Sequence, residues 1–91
     1  MTKEHNWTVR FEPSFTKSLK KLDKPTARRV LNSLERLETT DTPHSLCKAL
    51  TGEFSGLWRY RVGDYRVIID FHNENLIVVA LDVAHRSKIY R

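Results

Sequence analysis

Ninety-one residues, 40% of them hydrophobic, suffice for one core and leave no room for a second, so the chain reads as one domain over residues 1–91. Sixteen Lys and Arg against eleven Asp and Glu give a formal charge of +5 and a pI near 9.7, which favours an anionic partner such as nucleic acid or an acidic protein. Cys47 is alone and cannot form an internal disulfide, and no apolar run approaches the roughly 18 residues of a membrane span, so a reducing cytoplasm and no membrane partner are expected.

Residues 7–11 alternate apolar and polar with β-prone side chains, as in a half-buried strand, and Glu12-Pro13-Ser14 ends the alternation. From Pro13, a residue tolerated in the first turn of a helix, Phe15, Leu19 and Leu22 recur at helical spacing until Asp23-Lys24-Pro25 interrupts them. Ala27, Val30, Leu31, Leu34 and Leu37 then form one apolar stripe, with Arg28, Arg29, Asn32 and Arg36 off it. The two segments predict a helical hairpin.

Residues 39–51 lack periodicity and contain Pro43, which predicts a connecting loop that brings Lys48 close to the next strand. Residues 57–62 and 65–72 read as two strands around Gly63-Asp64, a pair with Gly first that suits a type II′ turn. After Asn73-Glu74-Asn75, residues 76–84 form a last strand, apolar on both faces apart from Asp82 and therefore expected inside the sheet. The order β-α-α-β-β-β is that of an α+β fold, an antiparallel sheet with a two-helix hairpin packed on one face.

Counting outward from the turn sets Val62 opposite Tyr65, Arg61 opposite Arg66, Tyr60 opposite Val67, Arg59 opposite Ile68 and Trp58 opposite Ile69. Trp58, Tyr60, Val62, Tyr65, Val67, Ile69 and Phe71 then share the face toward the helices, while Arg59, Arg61 and Arg66 share the other. Alternate residues of a strand lie about 6.8 Å apart, and directly opposed like charges destabilise a sheet. A bound phosphate would explain three arginines so placed; the competing account is an ion pair between Arg66 and Asp82, with Arg59 and Arg61 merely solvated.

The chain closes on Ala84-His85-Arg86-Ser87-Lys88-Ile89-Tyr90-Arg91, which gathers an imidazole, a phenol and several cations. RNA cleavage through the 2′-hydroxyl requires a base for that hydroxyl, cations for the phosphorane and an acid for the leaving 5′-oxygen, roles that such side chains supply. The acids Asp64, Asp70, Glu74 and Asp82 are scattered and the histidines isolated, so neither a metal nor another cofactor is expected. Cys47 reads as an inert loop thiol.

Residues 50–68, Leu-Thr-Gly-Glu-Phe-Ser-Gly-Leu-Trp-Arg-Tyr-Arg-Val-Gly-Asp-Tyr-Arg-Val-Ile, resemble the "L-x-G…G-x-W-R-x-R-x-G-x-Y-R" signature of RelE/ParE toxins, and residues 83–90 resemble the family's "V-x-H-R-x-x-x-Y" ending. The resemblance covers nearly the whole chain and implies a RelE-like fold. For the RelE branch it implies a toxin of a type II toxin–antitoxin system: a metal-independent endoribonuclease that cuts messenger RNA in the ribosomal A site, beside 16S rRNA, and is inhibited by an acidic antitoxin.

Residue by residue, the resemblance makes Arg59 and Arg61 the basic strand positions, Arg66 the phosphate-stabilising arginine, and Arg86 and Tyr90 the C-terminal arginine and tyrosine. His85 or Tyr90 is the expected base, since arginine is a poor one and stands here where RelE has lysines. Lys48, Lys88 and Arg91 are expected to contact RNA. Two other readings remain: a ParE-like inhibitor of DNA gyrase without nuclease activity, and a nucleic-acid-binding module in which Trp7 or Trp58 stacks on bases.

Overall fold

A two-residue turn at Gly63-Asp64 organises the sheet, and its backbone is of the expected kind. Gly63 has φ +59°, whereas Leu76 is the one non-glycine residue with positive φ among the described residues, so Asp64 stays right-handed and the turn is type II′. The computed structural model describes residues 7–88. Its elements are β1 (Thr8–Phe11), α1 (Pro13–Leu19), α2 (Lys24–Glu35), β2 (Lys48–Ala49), β3 (Trp58–Val62), β4 (Tyr65–His72) and β5 (Ile77–His85). Short 3₁₀ turns follow α2 and flank β2.

Every expected pair across the β3–β4 hairpin is present, from Val62–Tyr65 out to Trp58–Ile69. The sheet order is β1-β5-β4-β3-β2, which buries the doubly apolar last strand between two neighbours, as its composition requires. The architecture is α+β, but the expectation of an antiparallel sheet needs correction: β1 pairs with β5 in parallel, Thr8 with Ile77 through Phe11 with Ala80.

The cause is the path of the helical hairpin. α1 continues in the direction of β1, with Ser14 Oγ donating to Leu81 O and Ser18 Oγ to Asp82 Oδ1 further along β5. α2 returns, from Arg29 beside the Gly63 turn to Ser33 beside Tyr60, and β3, β4 and β5 each reverse once more. Four reversals restore the starting direction, so the first and last strands run alike.

Two further differences concern the 39–51 segment and the final loop. The segment read as a plain loop holds a 3₁₀ turn over Pro43–Leu46 and the two-residue strand β2, too short to show a period. His44 pins it: the ring sits 4.0 Å from Phe71, 5.4 Å from Trp7 and 5.3 Å from Trp58 by centroids, and Nε2 is 2.8 Å from Asn73 Oδ1. The loop before β5 extends through Leu76, whose φ of +56° closes the turn, so the strand begins at Ile77.

Phe15, Val30, Leu34 and Leu37 from the helical side meet Tyr60, Val62, Val67, Ile69, Phe71, Val78, Ala80 and Val83 of the sheet in one core. Asp23 caps α2, accepting from Thr26 N at 3.2 Å and from Thr26 Oγ1 at 2.7 Å, which explains why the residues that interrupt the first helix also start the second. Tyr60 donates its hydroxyl to Ser33 O at 2.6 Å, fastening α2 to β3. At the free edge of β1, Glu38 Oε2 accepts from Val9 N at 2.8 Å and occupies a strand donor that another chain would otherwise meet.

Leu34 is 1% exposed, so Leu34→Ala should cost about 2–5 kcal/mol in urea unfolding; a loss within 0.5 kcal/mol, the range of ordinary surface changes, would contradict this core. Burial pushes the Cys47 thiol up to about 12. Because the fold holds the neutral thiol, iodoacetamide at mildly alkaline pH should label Cys47 in urea and leave it largely unmodified in the native protein.

Candidate functional site

The helices cover one side of the sheet, and the alternation of β3 and β4 sends their arginines to the other. Arg59 and Arg61 on β3 and Arg66 on β4 stand on this open face, with Arg61 directly opposite Arg66. Lys48, paired with Arg59 through β2, belongs to the same face, so the strand missed in the sequence delivers its cation where expected. Ile68 and Val79 form the apolar floor between the charged side chains, each 8% exposed.

Arg66 sits at the centre of the charge. Its Nη1 donates to Gly63 O at 2.9 Å and to Tyr65 O at 3.1 Å, which folds the guanidinium back over the turn. Desolvation first, then the positive fields of Arg61, Arg59 and Arg86, lower its pKa from the usual arginine value, with Asp64 opposing them. Arginine's high intrinsic basicity still leaves Arg66 a cation at neutral pH.

Arg86 joins the group from beyond β5. Its backbone N–H donates to Asp64 O at 2.7 Å, and its Nε lies 3.9 Å from Asp64 Oδ1, an exposed and weak pair. The proposed ion pair between Arg66 and Asp82 is absent. A bulge places Leu81 as an extra residue in β5, so Arg66 faces Ala84 and Asp82 faces Ile68. Asp82 instead accepts from Ser18 Oγ of α1 and from Val83 N. Among the described residues, none of Arg59, Arg61 and Arg66 forms an ion pair.

His85 is separated from the arginines. It pairs with Tyr65, a residue packed against the core, and the two rings meet edge to face at 5.4 Å on the helical side of the sheet. There it lines a cleft with Ser18, Lys21, Leu22 and Lys88. His85 Nδ1 accepts from Ser87 N at 3.2 Å and lies 2.9 Å from Ser87 Oγ, so the neutral ring carries its proton on Nε2 and its lone pair is already engaged. Lys88 shares this cleft rather than the arginine face. Tyr90 and Arg91 lie outside the described residues.

The arrangement can bind a phosphodiester: a planar guanidinium donates two parallel hydrogen bonds to phosphate oxygens, and several lie within reach of one another. Among the described residues no three of His, Cys, Asp and Glu come together as metal ligands, and no helix is long and apolar enough to cross a membrane. Opposed like charges cost roughly 0.2–1 kcal/mol, so Arg61→Thr should raise stability by about that much in urea unfolding at low salt. A decrease of the same size would mean that the arginines support the sheet.

Comparison with known proteins agrees with this geometry. The family described as the ParE toxin of the type II toxin–antitoxin system parDE matches residues 9–90. The RelBE2 toxin–antitoxin complex of Mycobacterium tuberculosis is 30% identical with a TM-score of 0.68, over 89% of this chain and 99% of that one. The archaeal RelE–RelB complex of Pyrococcus horikoshii is 28% identical with a TM-score of 0.70, over 91% and 98%. The isolated RelE toxin of E. coli, at 17% identity, shares the fold with a TM-score of 0.69 over 92% and 90%. No curated protein matches the chain. With its fold, its arginine-bearing hairpin and a family match over residues 9–90, the chain belongs to the RelE/ParE toxin superfamily and is a toxin of a type II toxin–antitoxin system.

Proposed function

We propose that this toxin is a metal-independent endoribonuclease that cleaves messenger RNA in the ribosomal A site. The observation that carries the reading is the set Arg59, Arg61 and Arg66, without ion pairs among the described residues and joined by Arg86, on the sheet face that the helices leave open. In the reaction the 2′-oxygen attacks the adjacent phosphorus as its proton leaves. The bond to the 5′-oxygen then breaks and that oxygen takes up a proton, leaving a 2′,3′-cyclic phosphate. Arg59, Arg61 and Arg66 neutralise the phosphorane, and Arg86 and Lys48 hold the flanking backbone.

The base is assigned to Tyr90. His85 is on the far side of the sheet with its lone pair bonded to Ser87, and arginine holds its proton too tightly. A cognate antitoxin is the proposed partner, in line with the toxin–antitoxin complexes of the similar structures, and its acidic segments would cover the arginine face. The cytoplasm, where messenger RNA and ribosomes meet, is the proposed compartment.

The match to the ParE family model supports a second reading, inhibition of DNA gyrase by binding alone. One experiment separates them: single-turnover cleavage of a defined message in programmed ribosomes, mapped by primer extension, beside a gyrase supercoiling assay. Wild-type cuts within the A-site codon, slowed about 100-fold or more by Arg66→Ala and by Tyr90→Phe, are expected. Intact message together with blocked supercoiling would replace the nuclease reading by the gyrase one, and cuts unaffected by Tyr90→Phe would remove Tyr90 as the base.

A further inference from the structure

A second basic surface lies on the outer side of α2, across the molecule from the sheet arginines. Arg28, Arg29 and Arg36 line a shallow groove there with Pro25, Asn32 and Ser33. Arg28, Asn32 and Arg36 follow one another at four-residue spacing, a stripe about 12 Å long on a helical rise of 1.5 Å per residue.

The fold does not account for this charge. All three arginines are exposed, and the ion pairs His72–Asp70 and Arg86–Asp64 involve none of them. No Asp or Glu stands three or four positions from any of the three, so the pairing that usually supports a solvated helix face is missing. Lys24 and Arg28 are like charges four apart, and the first turn of α2, where the helix dipole favours anions, contains no acid. The helix would be more stable with acids at these positions.

The groove is also connected to the site. The guanidinium of Arg29 lies 2.9 Å from the position that a Cβ would take on Gly63, and the carbonyl of Gly63 accepts from Arg66. Positive charge therefore continues around the β3–β4 turn from α2 to the open face.

We infer that the α2 groove is a binding site for the phosphodiester backbone of folded RNA, a second segment held while the sheet face engages the message. The inference rests on the ribosome-bound reading above. A rigid helix presents its guanidinium groups in a straight, fixed row, which suits the regular backbone of a duplex, and Asn32 adds a side-chain amide for phosphate or 2′-hydroxyl oxygens.

The test is binding of a short fluorescein-labelled RNA duplex across a salt series, by anisotropy. Arg28→Glu/Arg36→Glu is compared with Lys17→Glu/Lys20→Glu, an equal charge reversal on exposed residues elsewhere. The α2 variant should lose about tenfold in affinity and flatten the log–log salt slope by about 1.8, as for two lost phosphate contacts, with a Tm equal to or above wild type. Unchanged affinity, or an equal loss in the control, overturns the inference. So does loss of polyglutamate binding with duplex binding intact, which would make the groove an acidic-peptide site. Nothing in the assay requires cleavage, so an inactive nuclease and an empty α2 groove give separate results.

Discussion

The register of the β3–β4 hairpin is the constraint from which the other features descend. A type II′ turn with Gly63 in the left-handed region allows one pairing of the two strands, and a slip of one residue would exchange their faces. With the register fixed, Tyr60, Val62, Val67 and Ile69 become the floor on which α2 is packed, and Arg59, Arg61 and Arg66 stand together on the opposite side. Core and candidate site are two readings of the same alternation, so a substitution that moved the turn would lose both.

Electrostatics then divides the molecule. Among the described residues Arg59, Arg61 and Arg66 on the sheet face and Arg28, Arg29 and Arg36 beside α2 form no ion pair, whereas acids near them are used elsewhere: Asp64 meets Arg86, Asp82 holds Ser18, Asp23 caps α2 and Glu38 blocks the edge of β1. Carboxylates that could have neutralised these arginines are thus committed to other donors. This toxin maintains its positive surfaces by structural means, and the pKa of Arg66 is lowered by desolvation first and then by the neighbouring arginines.

Much of this was legible in the sequence because the hairpin has a short turn and strict alternation, which together fix geometry without knowledge of the rest of the fold. Arg59, Arg61 and Arg66 were placed on one face on that basis, whereas Lys48, expected only near the next strand from a segment read as loop, stands beside Arg59 through β2. His85 was misleading because adjacency in sequence means opposite faces in a strand: Ala84 takes the arginine side, facing Arg66, and His85 the helical side, facing Tyr65. The bulge at Leu81 and the parallel pairing of β1 were invisible for a different reason, since both depend on contacts between distant segments. The groove of α2 was visible only as residues off an apolar stripe; its closeness to Gly63 required the helix to be docked.

The parallel pairing of β1 with β5 also bears on when the toxin comes into being. Residues 8–11 find their neighbours at 77–80, and β5 is the strand on which both β1 and β4 depend. A chain emerging from the ribosome N-terminus first therefore cannot complete its sheet until residues 77–85 are free, and pairing so distant in sequence is intrinsically slow. The arginine-bearing hairpin takes its place in the full sheet only once β5 has emerged. Vectorial synthesis thus builds a delay into the polypeptide itself, an interval during which the new molecule is not yet a finished toxin.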